Sequence, residues 1–429
     1  MKIAYLTLGC KLNYAETSTY ERGFAAAGLE TVPWSDRADV YLVNTCSVTA
    51  HSDNKCRNII RKCHRVSPGA AIVVTGCYAE LKRDEIAAIE GVALVFGAKE
   101  KARVVPETLR MLAGAEVHTD TSYKELSAVQ EYRDISSTIM AAYSSGERTR
   151  SFLKVQDGCN NFCAYCTVPF ARGESRNISI AEAVAQAREI AASGIKEIVL
   201  TGVNTGDFGK TTGESFLDLL KALNEVDGIE RYRISSIEPN LLSDSIIDWI
   251  ASGTKFLPHF HIPLQTGSDA LLKSMGRRYD TALFAERVEH IRSAMEAPGR
   301  QKVFFGIDVI VGLPGETDEL FEQTRAFLEE RIRPAFIHIF PYSPRPGTRA
   351  FSMPGQVCDR TKTERVAALE ELCSKLNAAF TGENRGLKSK VLWEGKEKDG
   401  MMAGYTENYI RVRRPYEAGL TGTIEEIVI

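Results

Sequence analysis

The feature that most constrains this chain is a group of three cysteines, Cys159, Cys163 and Cys166, that falls within eight residues. Such a short C-x3-C-x2-C segment brings its sulfurs into one loop, which favours a metal centre. Three thiolates bind three irons of a [4Fe–4S] cluster and leave the fourth iron without a protein ligand. An iron of this kind can bind the amino and carboxylate groups of S-adenosylmethionine (SAM) and pass an electron to its sulfonium.

Closely spaced cysteines also form zinc sites and redox dithiols. A structural zinc site takes four protein ligands, and no second Cys-x-x-Cys pair stands nearby in the sequence. An open-iron cluster is therefore the favoured interpretation, and a three-cysteine zinc site is the alternative.

Composition limits the class of protein. The 429 residues carry a formal charge of −3, so any contact with nucleic acid must come from a local patch rather than a global basic field. Ten cysteines without an evident signal peptide indicate metal or redox use in a reducing compartment, and we expect a cytoplasmic protein. No apolar stretch approaches the roughly 18 residues that span a bilayer, so no membrane association is expected.

The first part of the chain alternates short apolar segments with helical patterns, which predicts an open parallel α/β sheet. The predicted strands are residues 2–7, 40–44, 71–75 and 92–96. Cys10, Cys46 and Cys77 follow the first three strands. Because the carboxyl ends of parallel strands line a ligand crevice, we expect these thiols to converge at one edge of the sheet. The alternative is three small buried apolar residues.

A second series of strands and helices follows residues 114–147, which are polar and predict a linker. The predicted strands are residues 151–156, 197–201, 231–236, 258–264, 303–311 and 334–340. Six strands fall short of the eight in a closed barrel, so an open (β/α)6 partial TIM barrel is predicted. The cysteines of the C-x3-C-x2-C segment lie in the loop after its first strand.

The strand ends of this partial barrel offer groups that can hold SAM on the open iron. The predicted SAM-binding residues are Tyr165, Arg176, Gly202, Asn204, Ser235, Ser236, Glu238, Gln265 and Asp308. Arg172 is, like Arg176, a candidate partner for the SAM carboxylate or for a phosphate. The alternative for each residue is a structural role in a turn or a helix cap. No catalytic side chain is assigned.

The segment from about Gly386 onward consists of short predicted strands between Gly and Asn turns, which is typical of a small β-barrel. It contains seven basic and seven acidic residues, so its bulk charge gives no reason to bind RNA. Tyr405, Tyr409, Arg411 and Arg413 are nevertheless predicted to form a local RNA-binding patch of stacking surfaces and cations. An ordinary solvated strand is the alternative.

Taken together, these motifs resemble the radical-SAM methylthiotransferases over nearly the whole chain. The resemblance implies an amino-terminal domain over residues 1–113, whose Cys10, Cys46 and Cys77 hold an auxiliary [4Fe–4S] cluster. A linker over 114–147 then leads to a radical-SAM core over 148–380, whose own cluster is held by Cys159, Cys163 and Cys166. The last implied domain is an RNA-binding TRAM β-barrel over 381–429.

Within that family, the segments TLGCKLN at 7–13 and GYTENY at 404–409 resemble the MtaB branch, which acts on N6-threonylcarbamoyladenosine beside the anticodon of tRNA. The isopentenyladenosine branch and the ribosomal-protein branch carry other residues around the first cysteine. The same chemistry on either of those targets is the nearest alternative. A non-catalytic iron–sulfur electron carrier with an RNA-binding tail is an alternative of another class.

The resemblance also implies a mechanism that uses two SAM molecules per turnover. One donates its methyl group to a sulfur on the auxiliary cluster, and the other is cleaved to a radical that removes hydrogen from adenosine C2. General acid–base catalysis cannot deprotonate such an unactivated C–H bond. A flavodoxin- or ferredoxin-type electron donor, oxygen-sensitive clusters and a monomeric enzyme are expected.

Overall fold

A computed structural model describes residues 1–114, 139–146, 149–210, 212–397 and 399–429. In these ranges the strands are β1 (Lys2–Thr7), β2 (Glu30–Val32), β3 (Val40–Thr45), β4 (Ala71–Gly76), β5 (Val92–Phe96), β6 (Ala142–Tyr143), β7 (Arg150–Lys154), β8 (Gln156–Asp157), β9 (Arg176–Asn177), β10 (Glu197–Thr201), β11 (Arg231–Ile234), β12 (His259–Gln265), β13 (Phe304–Val311), β14 (Phe336–Pro341), β15 (Lys388–Lys396), β16 (Met401–Tyr405), β17 (Arg411–Pro415) and β18 (Ile424–Val428). The α-helices are α1 (Lys11–Ala26), α2 (Ala50–Val66), α3 (Cys77–Leu81), α4 (Arg83–Ala87), α5 (Val104–Leu112), α6 (Val168–Arg172), α7 (Ile180–Ala192), α8 (Phe216–Asn224), α9 (Asp244–Ala251), α10 (Asp269–Ser274), α11 (Thr281–Met295), α12 (Asp318–Ala326) and α13 (Asp359–Glu383).

The chain divides into two compact units, each built from separate segments. The first unit comprises Met1–Gly146, Gln156–Asn177 and Ser343–Phe351, and the second comprises Glu147–Val155, Ile178–Tyr342 and Ser352–Ile429. The domains predicted over 1–113, 148–380 and 381–429 are continuous in sequence, whereas each compact unit combines separate segments. These domain bounds therefore stay predictions. Most of the predicted linker over 114–147 lies outside the described residues.

A late segment of the chain joins the first unit through a buried ion pair. The Arg345 guanidinium donates to Asp53 Oδ2 at 2.7 Å and to Ser47 Oγ at 2.8 Å. Arg345 is 7% exposed and Asp53 is 8% exposed. This contact explains why Ser343–Phe351 belongs with the amino-terminal sheet rather than with the segments on either side of it.

The sheet of the first unit contains five parallel strands in the order β2-β1-β3-β4-β5. Side chains alternate between its two faces. Tyr41 and Val43 pack in one apolar core with residues of α2, whereas Val40 and Leu42 pack in another with residues of α1. Burial on both faces explains the continuous apolar runs in the sequence. The predicted parallel sheet is confirmed.

The second unit contains the six parallel strands of an open partial barrel. Strands β11, β10 and β7 pair in that order, and so do β12, β13 and β14. Two isolated bridges, Tyr232 with Phe256 and Ser236 with His261, connect the two groups. The helices α7 to α12 lie between these strands in the sequence. This arrangement confirms the predicted (β/α)6 architecture.

The last strands form an antiparallel sheet in the order β17-β16-β15-β18. Its small core is built around Val391, Trp393 and Met402, which are all nearly inaccessible. A half-barrel of this kind agrees with the predicted carboxy-terminal β-domain. Among the helices in the described ranges, none is both long enough and apolar enough to cross a membrane.

Candidate active site

Cys10, Cys46 and Cys77 lie at one edge of the amino-terminal sheet. Cys10 is the N-cap of α1, Cys46 directly follows β3, and Cys77 begins α3 directly after β4. Gly9 has a φ of +100°, and a Cβ atom at this position would lie 2.7 Å from Cys46 Cβ. Only glycine therefore allows the chain carrying Cys10 to pass so close to Cys46.

The environment of this first triad favours a bound metal centre over free thiolates. Burial, followed by the charges of Cys77 and Cys10, raises the pKa of the Cys46 thiol to about 12. Burial also raises the pKa of Cys77, although Arg172 and Lys101 oppose the shift. Thiols with raised pKa values need a strong local cation before they ionise, and iron supplies one. Three thiols at one edge of the sheet, one of them buried, therefore form a donor set that fits an iron–sulfur cluster.

A buried group of charges, here called the cationic cluster, lies beside the first triad and consists of Arg172, Lys101, Glu16 and Asp157. The Arg172 guanidinium donates to Asp157 Oδ1 at 2.8 Å, to Glu16 Oε1 at 3.3 Å and to Asn13 Oδ1 at 2.5 Å. Lys101 Nζ lies 3.0 Å from Glu16 Oε1 and 3.6 Å from Asp157 Oδ2. Burial lowers the pKa of Arg172, but the charges of Cys77, Asp157 and Glu16 outweigh it and raise that pKa.

Backbone N–H groups point at the sulfurs of the second triad. The Asn161 N–H donates to Cys159 Sγ at 3.4 Å, and the Val168 N–H donates to Cys166 Sγ at 3.4 Å. Cys159 and Cys163 are each 8% exposed. Hydrogen bonds to cysteine sulfurs stabilise their negative charge and tune the potential of an iron–sulfur cluster. The loop is therefore suited to hold thiolates.

The geometry of this cysteine loop depends on a glycine. Gly158 has a φ of +73°, and a Cβ atom there would lie 1.9 Å from the carbonyl oxygen of Glu174. Within the loop, Phe162 also has a positive φ, of 47°. Positive φ values are uncommon outside glycine and cluster at functional sites. The loop conformation is therefore held by its surroundings.

Two of the predicted SAM-binding residues lie in the first unit. Tyr165 is half-buried between two cysteines of the second triad. Arg176 is 4% exposed, and its Nη1 donates to the carbonyl oxygens of Arg172 at 2.6 Å and Glu174 at 3.0 Å. The Arg176 Nε–H is buried and finds no partner among the described residues. The buried Arg172 guanidinium is paired with the carboxylates of Glu16 and Asp157, so its burial needs no contact with SAM.

Most of the other predicted SAM-binding residues follow strand ends of the second unit. Gly202 and Asn204 follow β10, whereas Ser235, Ser236 and Glu238 follow β11. The Glu238 N–H donates to Asn204 Oδ1 at 3.3 Å, which brings these two loops together. The buried Ser235 Oγ has no partner among the residues that the structure describes. An orphaned hydroxyl at a strand end fits a ligand with polar groups.

Gln265 and Asp308 differ in their positions along the strands. Gln265 ends β12 at a register shift and has a φ of 73°, a strained conformation for this residue. Asp308 lies in the middle of β13, where its Oδ1 is 2.7 Å from His261 Nε2. The SAM-binding role of these residues stays a prediction.

The four predicted RNA-binding residues separate into two pairs. Tyr405 and Tyr409 stack with ring centroids 4.8 Å apart, and the Tyr409 hydroxyl accepts from Arg150 Nη1 at 3.2 Å. Arg411 and Arg413 are exposed and form ion pairs with the same acid, Glu397. The tyrosines therefore pack against the barrel strand β7, whereas the arginines face solvent. Their contact with RNA stays a prediction.

A buried glutamate that sequence reasoning missed links the barrel to the antiparallel sheet. Glu197, which is fully buried, accepts from Arg231 Nε at 2.6 Å and from Arg233 Nε at 3.0 Å, and it lies 3.8 Å from Arg150. Arg233 also donates to the carbonyl oxygen of Thr406 at 2.8 Å. Burial raises the pKa of Glu197, but the three arginines outweigh it and lower the pKa to about 2. These four residues are called the anionic hub below.

Comparison with known proteins adds the family. The profile described as Radical SAM superfamily matches residues 153–328, and the profile described as Uncharacterized protein family UPF0004 matches residues 2–97. The threonylcarbamoyladenosine tRNA methylthiotransferase MtaB of Bacillus subtilis is 37% identical over 433 residues, which cover 100% of this chain and 93% of that protein. The chain belongs to the radical-SAM methylthiotransferase family. Each profile match contains one of the two cysteine triads.

Other family members match at similar coverage. The MtaB protein of Aquifex aeolicus is 36% identical and covers 96% of this chain and 97% of its own length. The tRNA-2-methylthio-N(6)-dimethylallyladenosine synthase of Geobacter metallireducens is 30% identical, with 100% of this chain and 96% of that protein covered. Membership of the radical-SAM family implies a [4Fe–4S] cluster and SAM.

Solved structures share the fold at low sequence identity. The radical S-adenosylmethionine methyltransferase TsrM of Kitasatospora setae matches with a TM-score of 0.56 and 15% identity, covering 82% of this chain and 77% of that chain. The radical enzyme OxsB matches with a TM-score of 0.51 and 11% identity, covering 87% of this chain and 56% of that chain. At such identities the likeness concerns the fold alone.

Proposed function

We propose that this protein adds a methylthio group to C2 of N6-threonylcarbamoyladenosine, beside the anticodon of tRNA in the cytoplasm. The observation that carries the proposal is the similarity to Bacillus subtilis MtaB over the whole chain. The segments TLGCKLN at 7–13 and GYTENY at 404–409 favour the same branch. The relative named as a dimethylallyladenosine synthase is less similar, at 30% identity.

The proposal includes two [4Fe–4S] clusters. Cys159, Cys163 and Cys166 would hold the radical-SAM cluster, and Cys10, Cys46 and Cys77 the auxiliary one. With SAM bound, such clusters supply the electron that cleaves the sulfonium and the sulfur that is transferred. The convergence of Cys10, Cys46 and Cys77 at one sheet edge and the N–H groups that donate to Cys159 and Cys166 support iron binding at both triads.

The chain's own residues would prepare both sites. Arg172 and Lys101 of the cationic cluster oppose the rise in the pKa of Cys77 and would offset part of the negative charge of the thiolates. In the second unit, Ser235 and Gln265 would bind polar groups of SAM through strand ends, and the buried Ser235 Oγ has no partner among the described residues. A flavodoxin- or ferredoxin-type protein would donate the electrons, and the enzyme would act as a monomer.

The decisive experiment is mass spectrometry of tRNA nucleosides from cells that lack their own methylthiotransferases and express this chain. A 2-methylthio group on threonylcarbamoyladenosine is expected. Its appearance on isopentenyladenosine alone would refute the substrate assignment and keep the reaction. No methylthio nucleoside, in cells where the protein holds intact clusters, would refute both.

The two-cluster assignment is tested by paired substitutions. Wild-type protein should contain about eight irons per chain. Cys163→Ala should abolish SAM cleavage, because the cluster that carries the open iron loses one of its three protein ligands. Cys46→Ala should keep SAM cleavage and lose methylthiolation, since only the auxiliary cluster is damaged. Methylthiolation retained by Cys46→Ala would contradict the assignment, and Cys358→Ala, which alters an exposed cysteine outside both triads, serves as the control.

A further inference from the structure

Two histidines and an aspartate meet on one face of the strands β12, β13 and β14. His261, Asp308 and His338 each offer a ring nitrogen or carboxylate oxygen, and these three atoms lie within 4.8 Å of one another. The two imidazole ring centroids are 4.9 Å apart. The His261 and Asp308 side chains remain 20% and 19% exposed. A solute can therefore reach the group.

A glycine lies beside the two imidazole rings. Gly306 lies opposite His261 in the register of β12 and β13. A Cβ atom on Gly306 would lie at ordinary contact distance from His338 Nε2, 3.8 Å, and from His261 Cδ2, 4.0 Å, and 3.3 Å from Phe304 Cε1. The glycine therefore leaves this side of both rings uncovered by a side chain.

Exposed aromatic rings stand on either side of His338. Phe336 and Phe340 alternate with it along β14, so the three side chains share one face of the strand. Phe336 is 40% exposed and Phe340 is 44% exposed. The Phe336 ring lies edge-on to the His338 ring, with ring centroids 4.7 Å apart. Solvent-accessible aromatic rings are the common stacking surface for unpaired nucleobases.

We propose that this face of β12–β14 binds the threonylcarbamoyl group of the target nucleoside. In this arrangement His338 donates an N–H group to the carboxylate of the threonyl moiety, and Asp308 accepts a hydrogen bond from its hydroxyl. His261 holds the Asp308 carboxylate in place, since its Nε2 lies 2.7 Å from Asp308 Oδ1. The arrangement assigns Asp308 to the substrate rather than to SAM. Phe336 and Phe340 pack against the base. The inference rests on the proposed function and deepens it, because it names the groups that select the substrate.

The polar groups match this ligand in kind and spacing. A threonyl moiety carries a carboxylate and a hydroxyl on neighbouring carbons, and the site offers ring nitrogens and a carboxylate oxygen within 4.8 Å of one another. An isopentenyl group has no polar atom to bind them, so the site would favour the threonylcarbamoyl group through hydrogen bonds that only this group can form.

The first test uses wild-type protein with both clusters in the oxidised state, so that no turnover occurs. Its affinity is measured for anticodon stem-loop RNAs that carry threonylcarbamoyladenosine, the methyl ester of that group, or unmodified adenosine. We expect the ester to bind about 10- to 100-fold more weakly than the free carboxylate, as for the loss of charged hydrogen bonds. Equal affinity for acid and ester would overturn the proposal.

The second test uses variants of the same holoenzyme. His338→Ala should reduce the acid-over-ester preference to about twofold or less. His290→Ala is the matched control, because His290 also contacts carboxylates, Asp244 and Asp248, but on exposed helices. A preference that survives in His338→Ala would refute the inference.

Two further outcomes separate the possible failures. If wild-type enzyme makes no methylthio product from threonylcarbamoyladenosine, the proposed function fails and the inference falls with it. If the product forms but the preference for the carboxylate is absent, the inference alone fails. One equivalent of zinc bound by wild type and lost from His338→Ala would instead identify the triad as a metal site and overturn the proposal.

Discussion

Each unit buries a charged side chain among groups of the opposite charge, but the central charge is positive in the first unit and negative in the second. In the first, the buried cation Arg172 is surrounded by Glu16 and Asp157. In the second, the buried anion Glu197 is surrounded by arginines. Only the cationic cluster adjoins cysteines, since Arg172 and Lys101 both lower the pKa of Cys77. We infer that the cationic cluster serves the metal site, whereas the anionic hub holds the antiparallel sheet against the barrel.

The largest effect is expected from Arg172→Met. This variant leaves Glu16 and Asp157 buried with Lys101 as their main counter-charge, which should cost about 3–5 kcal/mol of stability. It should also reduce the iron bound at the first triad, because less positive charge faces Cys77. Iron analysis and peptide-resolved hydrogen exchange of the first unit measure the two effects. Normal iron content in this variant would break the proposed link between the cationic cluster and the metal site.

Glu197→Gln should destabilise the second unit by a comparable or smaller amount, about 3–5 kcal/mol, and leave iron content unchanged. The cause is the uncompensated charge of buried Arg231 and Arg233. Hydrogen exchange should accelerate in β10, β11 and the antiparallel sheet.

Glu394→Gln is a matched control, since Glu394 also pairs with Arg150, at 2.6 Å, but is 34% exposed. Its effect should stay below about 1 kcal/mol. Iron loss in Glu197→Gln would contradict the comparison.

Acid should weaken the anionic hub in a defined pH window. The pKa of Glu197 is lowered from 4.5 to about 2 in the folded chain. Its stabilising contribution is therefore complete above the unfolded pKa near 4.5 and is lost as the pH falls towards 2. The urea midpoint should follow this profile, measured by Trp393 fluorescence in cluster-free protein with Trp34 and Trp249 replaced by Phe. The same profile in Glu197→Gln would show that another group titrates.

The smallest effect on folding is expected from Arg413→Gln. Arg413 is exposed and pairs with Glu397 at 3.0 Å, so the urea midpoint should not change measurably. If Arg413 also contacts a phosphate of tRNA, the slope of log affinity against log salt should fall by about 0.7–0.9. An unchanged slope would leave Arg413 with no role in RNA binding.

Much of the fold follows from the sequence because buried parallel strands carry continuous apolar runs. The apolar runs predict strands over residues 2–7, 92–96 and 197–201, and the structure has strands with the same bounds. The sequence does not predict β2, because its three residues, Glu30–Val32, are largely exposed and follow no apolar pattern. Strand positions also sufficed to predict that Cys10, Cys46 and Cys77 share one edge.

The charged groups could not be predicted in the same way, because they depend on register and on distant contacts. Glu197 lies opposite Arg150 on one neighbouring strand and opposite Arg231 on the other, and one sequence does not reveal this register. The position of Arg172 just past the cysteine loop makes it a candidate ligand of SAM or phosphate, and the sequence does not reveal its partner Glu16, which stands 156 residues away. No sequence pattern singles out His338, since its neighbours His261 and Asp308 lie on other strands.

The ion pair between Asp53 and Arg345 has a consequence for how the protein is made. The two residues are 292 positions apart, so at about 5–20 residues per second the ribosome needs roughly 15–60 s to supply the counter-ion of Asp53. The amino-terminal sheet can collapse early during synthesis, but its last segment arrives when most of the chain has emerged. Cys46 stands next to Ser47, which Arg345 also contacts. We therefore expect iron to enter the first triad after translation has passed residue 351, not while the sheet is still emerging.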